Sequence, residues 1–170
     1  ESTTDALSRA DCLIVMGSGE AGEQVAAHAA ASAVPTLHGV LQPVDDGTRW
    51  QGTKVLAFAG IGRPEKFFRT LRALGADICE TQVFPDHHMF TDDEAQAMLS
   101  VAQARGLTLV TTSKDHARLK WSGHSGALAD LYGSVQVVHV EVAFDDGKAL
   151  DQILSTRIQS AASADAYKAF

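Results

Sequence analysis

Short apolar runs of strand length alternate with helix-like segments along most of the chain, and this alternation limits the folds open to it. Strands separated by helices form a mostly parallel sheet, because a parallel connection has to return from one end of the sheet to the other. We therefore predict an α/β fold of three layers, α/β/α, in which helices cover both faces of a mostly parallel sheet. The strand-like runs are residues 11–16, 34–40, 55–59, 78–84 and 107–111.

Local signals show where the helices between these runs begin and end. Pro64 suits the first position of a helix, and Gly75 ends that helix. Thr91 is a predicted N-cap, and Glu94 three residues later completes a capping box. Gly106 ends this second helix. An Ala-rich run over residues 20–32 predicts a further helix near the N-terminus.

The C-terminal third is predicted to add a short helix, a last strand and a last helix. Residues 114–119 form the short helix, and residues 135–142 alternate apolar and polar side chains as a half-buried strand does. A helix over residues 147–159 follows, and residues 160–170 are expected to be a loose tail.

Residues 41–53 are the predicted domain boundary. They combine a proline, an Asp-Gly turn signal and mixed polarity, which is typical of a linker or hairpin. We assign residues 1–40 to the end of a first, incomplete domain and residues 54–170 to a second α/β domain. Because the sequence starts at Glu1 without an initiator Met, we expect the chain to be part of a longer protein.

Composition excludes several classes of protein. Hydrophobic residues make up 45% of the 170 residues and charged residues 21%, which is ordinary for a globular domain. The net charge of -7 argues against nucleic-acid binding. Cys12 and Cys79 lie in apolar runs without metal-ligand spacing, so we expect small buried thiols. No run approaches the roughly 20 apolar residues of a membrane span.

The segment Phe84-Pro-Asp-His-His88 is the most informative candidate site. It follows a predicted strand, and loops at the carboxyl ends of parallel strands form the ligand crevice of such sheets. A carboxylate beside an imidazole fixes the tautomer of the ring and raises its basicity, which suits proton transfer from a hydroxyl. A surface turn with solvated histidines explains the same residues without function.

Two further strand-to-helix turns carry residues suited to an anion. Leu109-Val-Thr-Thr-Ser-Lys-Asp115 brings Lys114 to a helix start, although simple capping also explains its Thr and Ser residues. Ala57-Phe-Ala-Gly-Ile-Gly-Arg-Pro-Glu-Lys-Phe-Phe68 is a glycine turn with Arg63 and Lys66 as counter-charges. That turn is also common without function, and its two phenylalanines are predicted core residues.

A dinucleotide-binding turn is an alternative interpretation of the N-terminal region. Gly17-Ser-Gly-Glu-Ala-Gly22 matches the G-x-G-x-x-G pattern, with Asp45 and Asp46 further along the chain. This pattern favours an NAD(P)- or flavin-dependent oxidoreductase. Against it, Glu20 places a negative charge in the turn that would hold a pyrophosphate, and the two aspartates fall in the predicted linker.

A metal-dependent phosphoesterase of the Asp-His-His type is a second alternative, based only on residues 86–88. Such a site needs further aspartate motifs on neighbouring strands, and the sequence shows none. The remaining histidines have no carboxylate or cysteine at metal spacing and are interpreted as structural or solvated. They are His28, His38, His116, His124 and His139.

Taken together, three of these motifs resemble the lipid A 4'-kinase, or tetraacyldisaccharide 4'-kinase, family. In order they are Val55-Leu-Ala-Phe-Ala-Gly-Ile-Gly-Arg-Pro-Glu-Lys-Phe-Phe68, Phe84-Pro-Asp-His-His88 and Leu109-Val-Thr-Thr-Ser-Lys-Asp115. The resemblance extends more weakly back to Asp11, where the strand of the family ends in Asn-Gly and this chain has Met16-Gly17. Under this alignment the Gly-rich turn ends the nucleotide-binding domain.

The resemblance implies a P-loop NTPase-related kinase that transfers the γ-phosphoryl group of ATP to the 4'-hydroxyl of a tetraacyldisaccharide 1-phosphate. Members bind ATP and Mg²⁺ mainly through an N-terminal domain with a Walker A loop. This sequence has no G-x-x-x-x-G-K followed by Ser or Thr, so we expect the chain to be inactive alone.

The family motif also implies site residues. His87 is the expected catalytic residue, oriented by Asp86 and supporting a catalytic Asp of the other domain. Asp115 is expected to hold Lys114 or the loop. The residues expected to bind substrate or phosphate are Gly60, Gly62, Arg63, His88, Lys114 and Asp115.

The partners that the resemblance implies are the lipid substrate and ATP, in lipid A and lipopolysaccharide biosynthesis of Gram-negative bacteria. Members are peripheral proteins of the cytoplasmic face of the inner membrane, which they contact through the N-terminal region. The chain itself is expected to be soluble and monomeric.

Overall fold

The structure is a computed structural model that describes residues 2–44, 46–122 and 125–167. The strands are β1 Leu13–Met16, β2 Thr36–Pro43, β3 Lys54–Ala59, β4 Asp77–Val83, β5 Thr108–Thr112, β6 Gln136–Val138 and β7 Val140–Phe144. The helices are α1 Thr3–Leu7, α2 Glu20–Ala31, α3 Pro64–Ala73, α4 Asp92–Arg105, α5 Ser113–Ser122, α6 Gly126–Ser134 and α7 Gly147–Tyr167. A short 3₁₀ turn covers Thr48–Trp50.

The chain divides into two compact units. The central unit is Pro43–Val140, and the terminal unit combines Glu1–Gln42 with Glu141–Phe170. The sequence instead assigned residues 54–170 to one domain. The last strand and helix fall in the terminal unit because β7 joins the sheet of β1 and β2.

The central unit contains a four-stranded sheet in the order β4-β3-β5-β6, and all three of its strand pairs are parallel. The predicted α/β class with a mostly parallel sheet is therefore confirmed. In such a sheet the carboxyl ends of all strands lie at one edge, which gathers the loops that follow them.

Helices cover both faces of the central sheet, as the sequence predicts. Strand β3 is fully buried from Val55 to Ala59, which explains its unbroken apolar sequence. Its side chains alternate between the faces. Val55, Ala57 and Ala59 pack with Phe67, Phe68 and Leu71 of α3. Leu56 and Phe58 pack with Ala95 and Met98 of α4, Leu119 of α5 and Leu128 and Leu131 of α6.

The predicted boundaries of α3 and α4 are confirmed, whereas α5 is longer than the helix predicted over residues 114–119. Pro64 occupies the first turn of α3, and Gly75 beyond its end has φ +94°. At the start of α4, Thr91 and Glu94 form both hydrogen bonds of the capping box. Gly106 ends α4 in the left-handed region, where glycine is favoured.

The terminal unit contains a second sheet in the order β1-β2-β7. Strands β1 and β2 pair in parallel, with Leu13 opposite Thr36 and Met16 opposite Gly39. Helix α2 follows β1 as predicted. A Cβ placed on Gly22 of this helix would lie only 2.8 Å from Val15 Cγ1, so the glycine permits close packing of α2 on β1.

Several sequence predictions about the ends of elements were wrong. Residues 135–142 are two strands in different sheets, β6 and β7, because the chain changes sheet at His139. Helix α7 continues to Tyr167, so the predicted loose tail is largely helical. Residues 41–53 hold the end of β2 and the 3₁₀ turn, whose Trp50 is 2% exposed. Helices α1 and α6 were not predicted.

The two cysteines are partly buried and not disulfide-bonded, so they are less enclosed than expected. Among the helices that the structure describes, none combines the length and the apolar character that crossing a membrane requires.

Candidate active site at the carboxyl edge of the central sheet

Three loops meet where β3, β4 and β5 end. The backbone N–H of His87, after β4, donates to the carbonyl of Gly60, after β3, at 3.2 Å. A Cβ placed on Gly60 would lie 3.2 Å from the Pro85 carbonyl oxygen and 3.3 Å from Asp115 Oδ1, after β5. The three predicted motifs therefore lie side by side, and a side chain at Gly60 would be crowded by two of them.

Asp115 is a buried anchor of this edge. Its side chain is 0% exposed and accepts hydrogen bonds from Thr112 Oγ1 and Arg118 Nη1, both at 2.7 Å. Its backbone N–H donates to Thr112 Oγ1 at 3.2 Å, so the Thr112 hydroxyl caps the first turn of α5. Asp115 was expected to hold Lys114 or the loop, and its carboxylate contacts Thr112 and Arg118. Lys114 is exposed in the first turn of α5.

Arg118 links all three loops, and sequence reasoning missed it. Its side chain is 16% exposed, and Nη1 donates to the Gly60 carbonyl at 2.6 Å as well as to Asp115. Its second nitrogen, Nη2, lies 3.4 Å from Nδ1 of His87. The available signal was the spacing of Asp115 and Arg118, because residues three apart on a helix are neighbours.

His87 stands at the rim with its ring in solvent. Its side chain is 82% exposed, and its backbone has φ +63°, which is uncommon for a residue other than glycine. Asp86 was expected to orient the imidazole. Instead, Asp86 Oδ1 accepts from the backbone N–H of His87 at 3.0 Å, while Asp86 Oδ2 lies 3.8 Å from Nε2, beyond hydrogen-bond distance. Asp86 therefore fixes the backbone of the loop more than the ring.

His88 points inward and is held by Glu94. Its Nε2 lies 3.0 Å and 2.9 Å from the two Glu94 carboxylate oxygens, and its ring stacks on Phe84 with centroids 4.9 Å apart. Burial raises the pKa of the Glu94 carboxyl, but hydrogen bonds from His88 and Thr91 outweigh it and place that pKa below its ordinary value. His88 thus anchors the loop, and His87 is the accessible histidine of the two.

Two more predicted residues line the same edge. A Cβ placed on Gly62 would lie 3.3 Å from Asp86 Oδ2, and Arg63 is the exposed residue that precedes α3.

Beyond β5 and β6, Ser113 Oγ lies 3.3 Å from Nδ1 of His139. The sequence did not predict this last pair, because His139 was placed inside a strand.

Two of the other histidines, His28 and His116, have contacts on or near their own helices. Nδ1 of His28 lies 2.8 Å from the Gln24 carbonyl of its own helix, and the ring of His116 stacks on Tyr132 with centroids 4.5 Å apart. His38 lies in β2, while His124 falls outside the described residues. Within residues 2–44, 46–121 and 125–160, whose side chains the structure describes, no group of three or more His, Cys, Asp or Glu side chains is arranged to hold a metal ion.

The Gly17–Gly22 turn connects β1 to α2, and Gly17 has φ +75°. Glu20 opens α2 and is exposed. Of the two aspartates that the oxidoreductase alternative requires, Asp45 falls outside the described residues, and the Asp46 carboxylate accepts from the backbone N–H of Thr48 at 2.9 Å.

Fold and site define an α/β protein whose polar groups gather beyond the carboxyl ends of parallel strands, the usual ligand edge of such sheets. The family model of tetraacyldisaccharide-1-P 4'-kinase, LpxK, matches residues 1–159. The chain belongs to this family. The match includes the Gly17–Gly22 turn, so that turn is part of the family sequence and lends no support to the oxidoreductase alternative.

Curated relatives agree with the family model. A tetraacyldisaccharide 4'-kinase of Parvibaculum lavamentivorans is 50% identical over 127 residues, which cover 75% of this chain and 37% of the relative. One of Bradyrhizobium sp. is 45% identical over 156 residues, which cover 91% of this chain and 44% of the relative. The chain thus spans about two fifths of the length of these relatives.

Among solved structures, the chain is similar to an apo form of LpxK from Aquifex aeolicus in complex with ATP. The identity is 21% and the TM-score 0.46, over 72% of this chain and 36% of that chain.

Proposed function

We propose that this chain is the C-terminal part of an ATP-dependent lipid kinase, which transfers the γ-phosphoryl group of ATP to the 4'-hydroxyl of a tetraacyldisaccharide 1-phosphate. The family match over residues 1–159 supports this reaction. The observation that carries the assignment to a site is the accessible His87 at the carboxyl edge, supported from behind by Arg118.

Phosphoryl transfer depends mainly on alignment of the reacting groups and on stabilisation of charge. In this proposal His87 acts at the acceptor side, on the 4'-hydroxyl or on a carboxylate that activates it, because its ring is the accessible imidazole of the edge. The exposed cations Arg63 and Lys114 attract phosphate oxygens, and Gly60 and Gly62 allow the backbone to approach. Asp86, His88 and Asp115 hold the three loops in place.

ATP and Mg²⁺ are assigned mainly to parts of the kinase outside this chain. The sequence has no Walker A loop, and the described side chains offer no cluster suited to a divalent cation. We also propose that contact with the cytoplasmic face of the inner membrane is made outside this chain, that the protein is monomeric, and that residues 1–170 alone are inactive.

A chimaera tests the proposed reaction. This chain replaces the matching segment of the Bradyrhizobium sp. relative, and transfer of radiolabel from the γ-phosphoryl group of ATP to tetraacyldisaccharide 1-phosphate is measured. We expect label on this acceptor and none on an analogue without the 4'-hydroxyl. A folded chimaera that labels neither acceptor, beside an active unmodified relative, would refute the proposal.

A separate assay on the isolated chain addresses the oxidoreductase alternative. Stabilisation of the isolated chain by NAD in a thermal-shift assay would favour that alternative, since a ligand raises the midpoint only when it binds the native state. The proposed function predicts no shift with NAD.

A further inference from the structure

Arg118 neutralises Asp115 and also lies where it can determine which imidazole nitrogen of His87 carries the proton. Its guanidinium uses Nη1 for Asp115 and the Gly60 carbonyl, at 2.7 Å and 2.6 Å. Its other terminal nitrogen, Nη2, lies 3.4 Å from His87 Nδ1. The ring of His87 meets solvent elsewhere, since its side chain is 82% exposed. Arg118 therefore reaches the rim from an enclosed position behind the loops.

The chemistry of the two groups determines where the proton of His87 lies. A guanidinium carries only donors and stays charged in proteins, so Nδ1 of His87 has to accept. In the neutral ring the single proton then lies on Nε2. Nε2 lies 3.8 Å from Asp86 Oδ2. A negatively charged oxygen is therefore already present on this side of the ring. The exposed nitrogen of His87 is thus a hydrogen-bond donor.

We propose that Arg118 is a positioning residue that holds His87 as an Nε2–H donor toward an anionic oxygen of the reacting groups. The inference rests on the proposed function, in which His87 serves the acceptor side. It also refines that function. A ring fixed in this way stabilises a carboxylate or phosphoryl oxygen and does not itself remove the proton of the hydroxyl through Nε2.

Arg118→Lys can separate a positioning role of Arg118 from a structural one. A lysine can replace the contact with Asp115 but not the contact with His87. An ammonium group at residue 118 keeps the positive charge beside buried Asp115, but it lacks the planar fork that serves Asp115 and His87 together. Arg118→Lys should therefore preserve folding and lose the contact with Nδ1. A hydrogen bond involving a charged group corresponds to roughly a ten- to hundredfold effect.

The test is a double-mutant cycle in the active chimaera. We expect Arg118→Lys to lower kcat about tenfold or more with little change in KM and in the unfolding midpoint. In the His87→Ala background the same substitution should have no further effect, because its target is absent. The matched control is Arg105→Lys, at the exposed pair with Glu80, which should leave kcat unchanged. An unchanged kcat in Arg118→Lys, or equal effects with and without His87, would overturn the inference.

A second measurement needs neither activity nor a variant. Long-range ¹H–¹⁵N correlation spectra of the isolated wild-type chain at pH 8 report which imidazole nitrogen of His87 carries the proton. Protonated Nε2 and unprotonated Nδ1 are expected, and the opposite tautomer would overturn the inference even if Arg118→Lys failed to fold. Loss of lipid phosphorylation by the wild-type chimaera would count against the proposed function and leave this spectrum as the test of Arg118.

Discussion

Replacing Asp115 by Asn should destabilise the central unit strongly. The substitution keeps the size of the side chain and removes its charge, so the guanidinium of Arg118, only 16% exposed, loses its counter-charge. The amide can accept from Arg118 and donate to Thr112 Oγ1, but it carries no charge to balance the guanidinium at 2.7 Å. Asp115→Asn is thus a nearly isosteric test of how much the buried pair stabilises the edge.

The expected loss is about 3 kcal/mol in the free energy of unfolding. Breaking a buried ion pair on one side costs roughly 3–5 kcal/mol, and the partial exposure of Arg118 places this case at the lower end. For a chain of this size that loss lowers the midpoint of thermal unfolding by roughly 6–12 °C. Adding Arg118→Met should recover part of the loss, because it removes the cation whose counter-charge was lost.

Tryptophan fluorescence during urea unfolding is a suitable assay. The sequence contains two tryptophans, Trp50 and Trp121, and both lie in the central unit. Trp50 is 2% exposed, so its emission reports the opening of this unit. The control is Glu80→Gln, which breaks a pair with Arg105 whose side chains are 40% and 48% exposed and should cost less than about 1 kcal/mol. An Asp115→Asn protein as stable as this control would refute the reasoning.

Three further predictions follow from the same edge. Gly60→Ala should cost about 1–3 kcal/mol in urea unfolding, because its Cβ would crowd Pro85 and Asp115, whereas Gly133→Ala in α6 meets nothing within 4 Å and should not destabilise. The pKa of Glu94 is lower in the folded protein than its unfolded value near 4.5. Ionised Glu94 therefore stabilises the fold above pH 4.5, and this stabilisation is lost as the pH falls through the folded pKa. Urea midpoints of Glu94→Gln should therefore fall less than those of the wild type between pH 6 and pH 3, and parallel curves would contradict this. Lys114→Ala, at an exposed position, should lower kcat/KM of the chimaera with an unchanged unfolding midpoint, and full activity would remove Lys114 from the proposed site.

Much of the central unit was predictable because its signals are local. The continuous apolar run of β3, the proline at the start of α3 and the capping box of α4 each act within a few residues. The meeting of the three loops was also predictable, since parallel strands end at one edge of a sheet. The change of sheet at His139 was not, because residues on both sides of it alternate in the same way.

The details of the site depend on contacts between segments that are far apart in sequence. Arg118 contacts Gly60 and His87 only when the sheet has assembled, so no local sequence pattern shows that it links the loops. The sequence placed Asp86 beside the ring of His87, but the carboxylate hydrogen-bonds to the backbone instead. Glu94, in the following helix, holds His88 and so leaves His87 as the histidine that faces solvent.

We propose above that His87, at the carboxyl edge of the central sheet, serves phosphoryl transfer to the lipid. Its most direct test is kcat of the chimaera with His87→Ala, beside His28→Ala, whose ring contacts only its own helix among the contacts described. We expect a fall of roughly 100-fold or more for His87→Ala with an unchanged unfolding midpoint, and wild-type turnover for the control. Wild-type turnover by a folded His87→Ala chimaera would contradict it.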